Sequence, residues 1–267
     1  MDATTRYGLE FNPFLKNSKD ILYESSEYKE TLFRLDYLAK SKGFGLLTGA
    51  PGCGKTTAIR NWSKKLNPSL FKVVYTSLST LTVNDFYRNL ALSLGAQPAY
   101  RKTDNFSSIQ NEITRLALDK KKTPVIIIDE ANYISNAILN DLKILFNFEM
   151  DSRDRAVILL VGLPQLNSTL QLALHEPLRQ RIIMNYNLDG ISKDEAHEYI
   201  NMKLRGAGCS QPVFDESAIE AIINASDGTA RMINKFCNSS LVIANSKEAP
   251  TITSDIVMQA VNDCELG

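Results

Sequence analysis

Apolar residues recur along this chain in two rhythms. Short runs dense in Val, Ile, Leu and aromatic residues, at 44–48, 71–77, 125–128, 156–162 and 182–188, predict strands. Between them, apolar positions return every three or four residues from Lys55, from about Asn84, over 105–121 and over 136–148, and these stretches predict helices. Strand and helix in alternation imply an α/β fold with a parallel sheet flanked by helices. After Gly190 the strand signals stop. Ser192 and Asp215 stand as N-caps for helices ending near Arg205 and Asn224, a third helix follows Gly228, and Thr253 or Ser254 caps a last one. The pattern thus predicts an α/β domain over 1–189 and a small C-terminal helical domain over 190–267.

Composition leaves this picture in place. A chain of 267 residues with 44% hydrophobic and 22% charged positions is ordinary for a globular protein with a sizeable core. The apolar runs fall short of the roughly 18 to 20 residues that a membrane span needs, and the N-terminus lacks a secretory h-region, so a cytoplasmic protein without membrane contact is expected. Cys53, Cys209, Cys237 and Cys264 are scattered without CxxC spacing, which predicts neither a metal site nor a disulfide framework. His175 and His197 lack metal-ligand neighbours and read as surface or interface residues, whereas Trp62 reads as core. Net charge is zero, but cations are in excess over 1–189 and anions over 190–267. A basic half suits a polyanion partner, and it equally suits a solvated surface around a phosphate site.

The first chemistry lies in Gly49-Ala50-Pro51-Gly52-Cys53-Gly54-Lys55-Thr56-Thr57. Glycines at 49, 52 and 54 let the backbone turn its N–H groups towards phosphate oxygens, Lys55 reaches the β- and γ-phosphates, and the Thr56 hydroxyl faces Mg²⁺. The helix that follows adds its N-terminal dipole. The loop has a partner downstream in Val125-Ile126-Ile127-Ile128-Asp129-Glu130, an apolar strand that ends in two carboxylates. Strand C-termini are where ligands sit in open α/β sheets. Asp129 is expected to hold Mg²⁺ and Glu130 to orient and activate the attacking water, so hydrolysis of ATP is favoured over phosphorylation of a small molecule.

Further parts follow from position along the chain. Gln165, in Gly162-Leu163-Pro164-Gln165, is the polar candidate for touching the γ-phosphate or the water after the fourth strand, where Leu163 is apolar. Arg179 and Arg181 precede the fifth strand and supply guanidinium groups of the kind that stabilise transition-state charge from a neighbouring subunit; the other reading makes them surface ion-pair partners. Arg231, in Asp227-Gly228-Thr229-Ala230-Arg231, starts a helix of the second domain and is a candidate for reaching back to the γ-phosphate. Phe11, Pro13 and Phe14 either wall an adenine pocket or staple the first helix.

The two Walker motifs and Gly228-Thr229-Ala230-Arg231 resemble AAA+ P-loop ATPases of the initiator clade, with the helical domain as lid. More narrowly, Phe11-Asn12-Pro13-Phe14, Leu47-Thr48-Gly49-Ala50-Pro51-Gly52, Asp85-Phe86-Tyr87-Arg88, Asn147-Phe148-Glu149-Met150-Asp151-Ser152, Leu160-Val161-Gly162 and Leu178-Arg179-Gln180-Arg181-Ile182 resemble the ExeA/TniB/TnsC group. One branch of that group regulates DNA transposition: its members assemble ATP-dependent oligomers on target DNA and recruit or stimulate a DDE transposase. The other consists of secretion ATPases that carry a membrane span and a peptidoglycan-binding region after the ATPase. Neither follows Gly267 in this sequence, and the expectation taken from that is the transposition branch, with homo-oligomers, double-stranded DNA, a transposase and a target-selection protein as partners. The group's pattern is departed from at Leu163, where glutamine is commoner, and at Asn132, where a histidine often follows the Walker acids. The resemblance points to DNA contacts ahead of the Walker B strand, where Arg101, Lys102 and Thr103 follow Tyr100, and Lys121 lies in Lys120-Lys121-Lys122. Lysines at a helix C-terminus are also favoured by the helix dipole alone.

Overall fold

The structure, a computed structural model, describes residues 2–77, 82–149, 153–209 and 211–264; Met150, Asp151 and Ser152 of the resemblance lie outside these. The chain divides into two compact units, one of Glu30–Ala50 and Lys55–Leu188, the other of Met1–Lys29, Pro51–Gly54 and Asp189–Gly267.

The α/β unit is built on a five-stranded sheet of β1 (Gly43–Gly49), β2 (Phe71–Thr76), β3 (Thr123–Ile128), β4 (Val157–Gly162) and β5 (Ile182–Leu188), in the order β2-β3-β4-β1-β5. Every pairing is parallel. Parallel strands covered on both faces read as unbroken apolar runs, and the central β1 and β4 are buried along their whole length. The edge strands β2 and β5 alternate between buried and exposed positions instead. Register aligns the strand ends. Thr76 lies opposite Ile128, Ile128 opposite Leu160, Gly162 opposite Thr48 and Thr48 opposite Asn187. Chain leaving β1, β3 and β4 therefore emerges at one edge of the sheet, which is what brings the candidate residues together.

Helices fill the intervals: α2 (Ser26–Ser41), α3 (Lys55–Lys65), α4 (Val83–Leu94), α5 (Lys102–Thr114), α6 (Asn136–Leu145), α7 (Gln165–Gln171) and α8 (Glu176–Arg179). Leu90, Ile109, Leu139 and Leu142 pack with Ile126, Ile128, Ile158 and Leu160 of the sheet in one core cluster. Each such side chain contributes about 1.5 to 3 kcal/mol on full burial. Trp62 is buried as expected and gives its indole N–H to Asp36, 2.9 Å away. The third predicted helix ends earlier than its pattern suggested, because α5 gives way to a π turn over Arg115–Asp119 before β3. The fourth stops at Leu145, although Phe146 and Phe148 stay buried in the same core and so prolong the apolar pattern. His175 departs from its surface reading. It is fully buried, with Nε2 2.9 Å from Asn136 Oδ1.

The helical unit contains the short α1 (Ala3–Arg6) with α9 (Lys193–Gly206), α10 (Glu216–Ser226), α11 (Ala230–Ser246) and α12 (Ser254–Cys264). Ser192 caps α9 through a full capping box with Glu195, and Asp215 caps α10 by accepting from Ala218 N. Ile200, Ile222, Ile233, Phe236, Leu241 and Val257 form its core. Tyr7, Leu9 and Phe14 join that core, so the N-terminal stretch packs with the helices rather than with the sheet. Lys203 sits beneath this stretch. Its ammonium donates to Pro13 O at 2.9 Å and lies 5.4 Å from the Tyr199 ring centroid, and burial pulls its pKa below the usual lysine range.

Candidate nucleotide site

At the end of β1 the chain turns through the glycine loop into α3. Lys55 Nζ donates to Gly49 O at 2.7 Å and to Ala50 O at 2.9 Å, so the ammonium is folded over its own loop. Thr56, next on α3, is exposed and donates its hydroxyl to Asp129 Oδ2 at 3.3 Å. Thr57 is half-buried, Pro51 exposed and Cys53 buried at 6% exposure. Gly52 belongs to the helical unit's contacts. Its carbonyl accepts from Arg231 N at 3.3 Å, and with φ at 85° a Cβ there would come within 2.6 Å of Arg231 Cβ. Only glycine tolerates both the left-handed backbone and that approach.

Asp129, 4% exposed, follows β3 directly, and its amide donates to Thr76 O at 2.8 Å. Its Oδ1 accepts from Glu130 N at 2.9 Å, and its Oδ2 accepts from Tyr75 Oη at 2.7 Å as well as from Thr56. Glu130 is exposed and left-handed, with φ 54° and ψ 35°. A non-glycine residue there carries about 1 to 2 kcal/mol of local strain. The two acids are thereby separated by role, one buried and held by three donors, the other turned out to solvent. A hydroxyl and a carboxylate at one spot are hard oxygen donors, and Mg²⁺ is typically held by one or two carboxylates together with substrate phosphates. Thr56 and Asp129 fit that ion; among the described residues no cluster of three or more His, Cys, Asp or Glu side chains offers an all-protein cage.

Beyond β4 the placement of polar groups differs from the order along the chain. Gln165, the first residue of α7, is exposed. The groups that touch the strand ends are Asn167 and Asn132. Asn167 donates to Thr48 Oγ1 at 3.0 Å, and that hydroxyl donates to Asn187 Oδ1 at 3.0 Å. Asn132 accepts from Leu163 N at 3.0 Å, and its Oδ1 lies so close that a Cβ on Gly162 would sit 2.8 Å from it. The two positions that depart from the group's pattern, 132 and 163, are therefore bonded to each other. Asn167 and Tyr75 are not singled out by the sequence, and Asn132 is singled out there only as a departure from the group's pattern, because each acts across a strand pairing that adjacency along the chain does not reveal.

The two arginines before β5 differ. Arg181 is half-buried, donates to Lys143 O at 2.6 Å and lies over the Phe44 ring with its guanidinium carbon 5.7 Å from the centroid. Arg179 is exposed, with NH1 3.1 Å from Gln171 O. In the helical unit Arg231 is exposed near the start of α11, whereas Phe14 is 5% exposed and packs edge-on against Phe214 at 6.4 Å, which is a core role. Of the residues read as DNA contacts, Lys102 is paired with Asp141 and lies 5.2 Å from the Tyr87 ring centroid, and Thr103 donates to Asp104 Oδ1 at 3.4 Å. Arg101 is exposed at the N-cap of α5 beside Tyr100, which is 87% exposed, and Lys121 is exposed beyond the π turn.

Residues 38–170, which span the glycine loop, Asp129 and Glu130, match the family described as AAA domain. The chain carries an AAA domain over these residues. Solved structures agree on the AAA+ fold: Cdc6p from Pyrobaculum aerophilum superposes with a TM-score of 0.71 at 16% identity, covering 96% of this chain and 71% of that one. The ORC1 protein of Aeropyrum pernix, solved in complex with DNA, gives 0.66 at 14% identity, covering 95% and 69%. Among curated proteins, the General secretion pathway protein A of Aeromonas hydrophila is 32% identical over 265 residues, which is 96% of this chain and 48% of that protein. This chain thus spans about half the length of that relative. No helix among the described residues is long and apolar enough to cross a membrane.

Proposed function

We propose that this chain is an ATP-hydrolysing, oligomerising regulator of DNA transposition, which binds duplex DNA without reading its sequence and recruits or activates a DDE transposase. The observation that carries the ATPase part is the meeting of the Thr56 hydroxyl with Asp129 Oδ2 at 3.3 Å, beside an exposed Glu130. Loop amides and Lys55 bind the phosphates. Mg²⁺, when bound, neutralises charge that develops on the phosphoryl oxygens. Glu130 orients the water and accepts its proton. Arg231 is assigned to sensing the γ-phosphate from the lid. DNA contact is supported by Tyr100 and Arg101, an exposed ring and guanidinium at the head of α5, with Lys121 as a third cationic contact. Arginine and lysine on phosphates give affinity that is independent of sequence and steeply dependent on salt.

A second reading, a secretion-type ATPase that does not bind DNA, is favoured by the 32% identity to General secretion pathway protein A. Filter binding to duplex DNA with ATP and with ADP separates the two. Retention that requires ATP, falls with salt and is lost in Arg101→Glu is expected; a wild-type chain that retains no DNA under any nucleotide sinks the transposition reading. In the same preparations Glu130→Gln is expected to bind ATP while releasing phosphate at least about a hundredfold more slowly. Equal release by wild type and variant removes Glu130 from the mechanism.

A further inference from the structure

We propose that Tyr75 is a positioning residue that fixes the Asp129 carboxylate for a nucleotide-bound divalent cation; this rests on the reading of Asp129 as the metal-side carboxylate. Buried carboxylates need their oxygens satisfied, and Asp129 at 4% exposure meets that need with donors from three different elements. Glu130 N fixes Oδ1 at 2.9 Å from the following residue, Tyr75 Oη fixes Oδ2 at 2.7 Å from the neighbouring strand, and Thr56 adds a longer contact of 3.3 Å to that same Oδ2. A 2.7 Å O–H···O bond to a carboxylate is of the strong, charge-assisted kind, whereas 3.3 Å is weak. The rotation of the carboxylate plane is therefore set by the backbone at one oxygen and by Tyr75 at the other.

Strand register makes this possible. β2 pairs with β3 so that Tyr75 lies opposite Ile127, two residues before Asp129, and Thr76 O takes the Asp129 amide. The phenol also keeps its proton. A tyrosine phenol is neutral throughout the physiological range, so it acts here as a donor. Tyr75 is 49% exposed, and Tyr75→Phe removes the hydroxyl while keeping the ring.

Groups that orient a metal ligand typically change metal affinity by about 10- to 100-fold when removed. The quantity to measure is the ratio of the affinities of a fluorescent ATP analogue with Mg²⁺ and with EDTA, for the full chain and for Tyr75→Phe. The ratio is expected to fall about tenfold in the variant. A purely structural effect weakens both affinities together and leaves the ratio at the wild-type value; that result overturns the proposal and leaves the ATPase reading standing. A wild-type chain whose affinity does not respond to Mg²⁺ removes the reading of Asp129, and the role of Tyr75 with it.

Discussion

His175 shows what burial does to one titratable side chain. On the turn before α8 it is enclosed, with Nε2 against Asn136 Oδ1, and desolvation holds its pKa below the ordinary histidine value. The unfolded chain therefore binds a proton near pH 6.5 that the folded chain refuses, and stability falls as pH drops below about 6.5. Thermal melts at pH 7.5 and 5.5 are expected to show this loss, and His175→Gln to reduce it; equal slopes in both proteins exclude His175 as the source. The same scale explains which site residues were readable in advance. Gly52, Lys55, Thr56, Asp129 and Glu130 lie in runs of adjacent residues whose types and order carry their chemistry. Tyr75 and Asn132 take their meaning from bonds to Asp129 and Leu163, partners that adjacency does not reveal.

At the level of elements, all five strands were legible because parallel, doubly covered strands leave continuous apolar runs. α2 was not. Its buried positions Tyr28, Thr31, Leu35, Leu38 and Ala39 follow helical spacing, but Phe33 at 70% and Tyr37 at 53% exposure place aromatics on the opposite side and blur the stripe. The start of α2 is fixed from a distance. Glu195, already in the capping box of α9, also accepts from Ser26 N at 2.6 Å and from Ser26 Oγ at 3.1 Å. One carboxylate thus serves two helix starts, and Glu195→Ala is expected to cost about 1 to 2 kcal/mol, more than a single cap. Denaturant titration measures it. A loss no larger than that of Ser192→Ala contradicts the double role.

For the whole molecule, the proposed oligomer turns on how copies of the chain would act on one another. Arg181 is half-buried against Phe44 and donates to Lys143 O, whereas Arg179 is exposed with NH1 3.1 Å from Gln171 O, and in the proposed oligomer we assign Arg179 as the group offered to a neighbour. Arg179→Ala is expected to lower phosphate release by about a thousandfold without lowering the melting temperature, and Arg181→Ala to lower the melting temperature. A mixture of Arg179→Ala with Glu130→Gln then restores part of the activity, because one interface type joins an intact Glu130 to an intact Arg179. No recovery on mixing places Arg179 outside such an interface. The left-handed backbone of Glu130 also matters at this scale. Folded domains are held by only about 5 to 15 kcal/mol, so strain at one residue is a visible fraction of the total. Glycine, the residue most at ease in that conformation, has no carboxylate to offer water. At position 130 backbone strain and the carboxylate assigned to the water coincide, so Glu130→Gly is expected to relieve the strain and raise the melting temperature while removing that carboxylate.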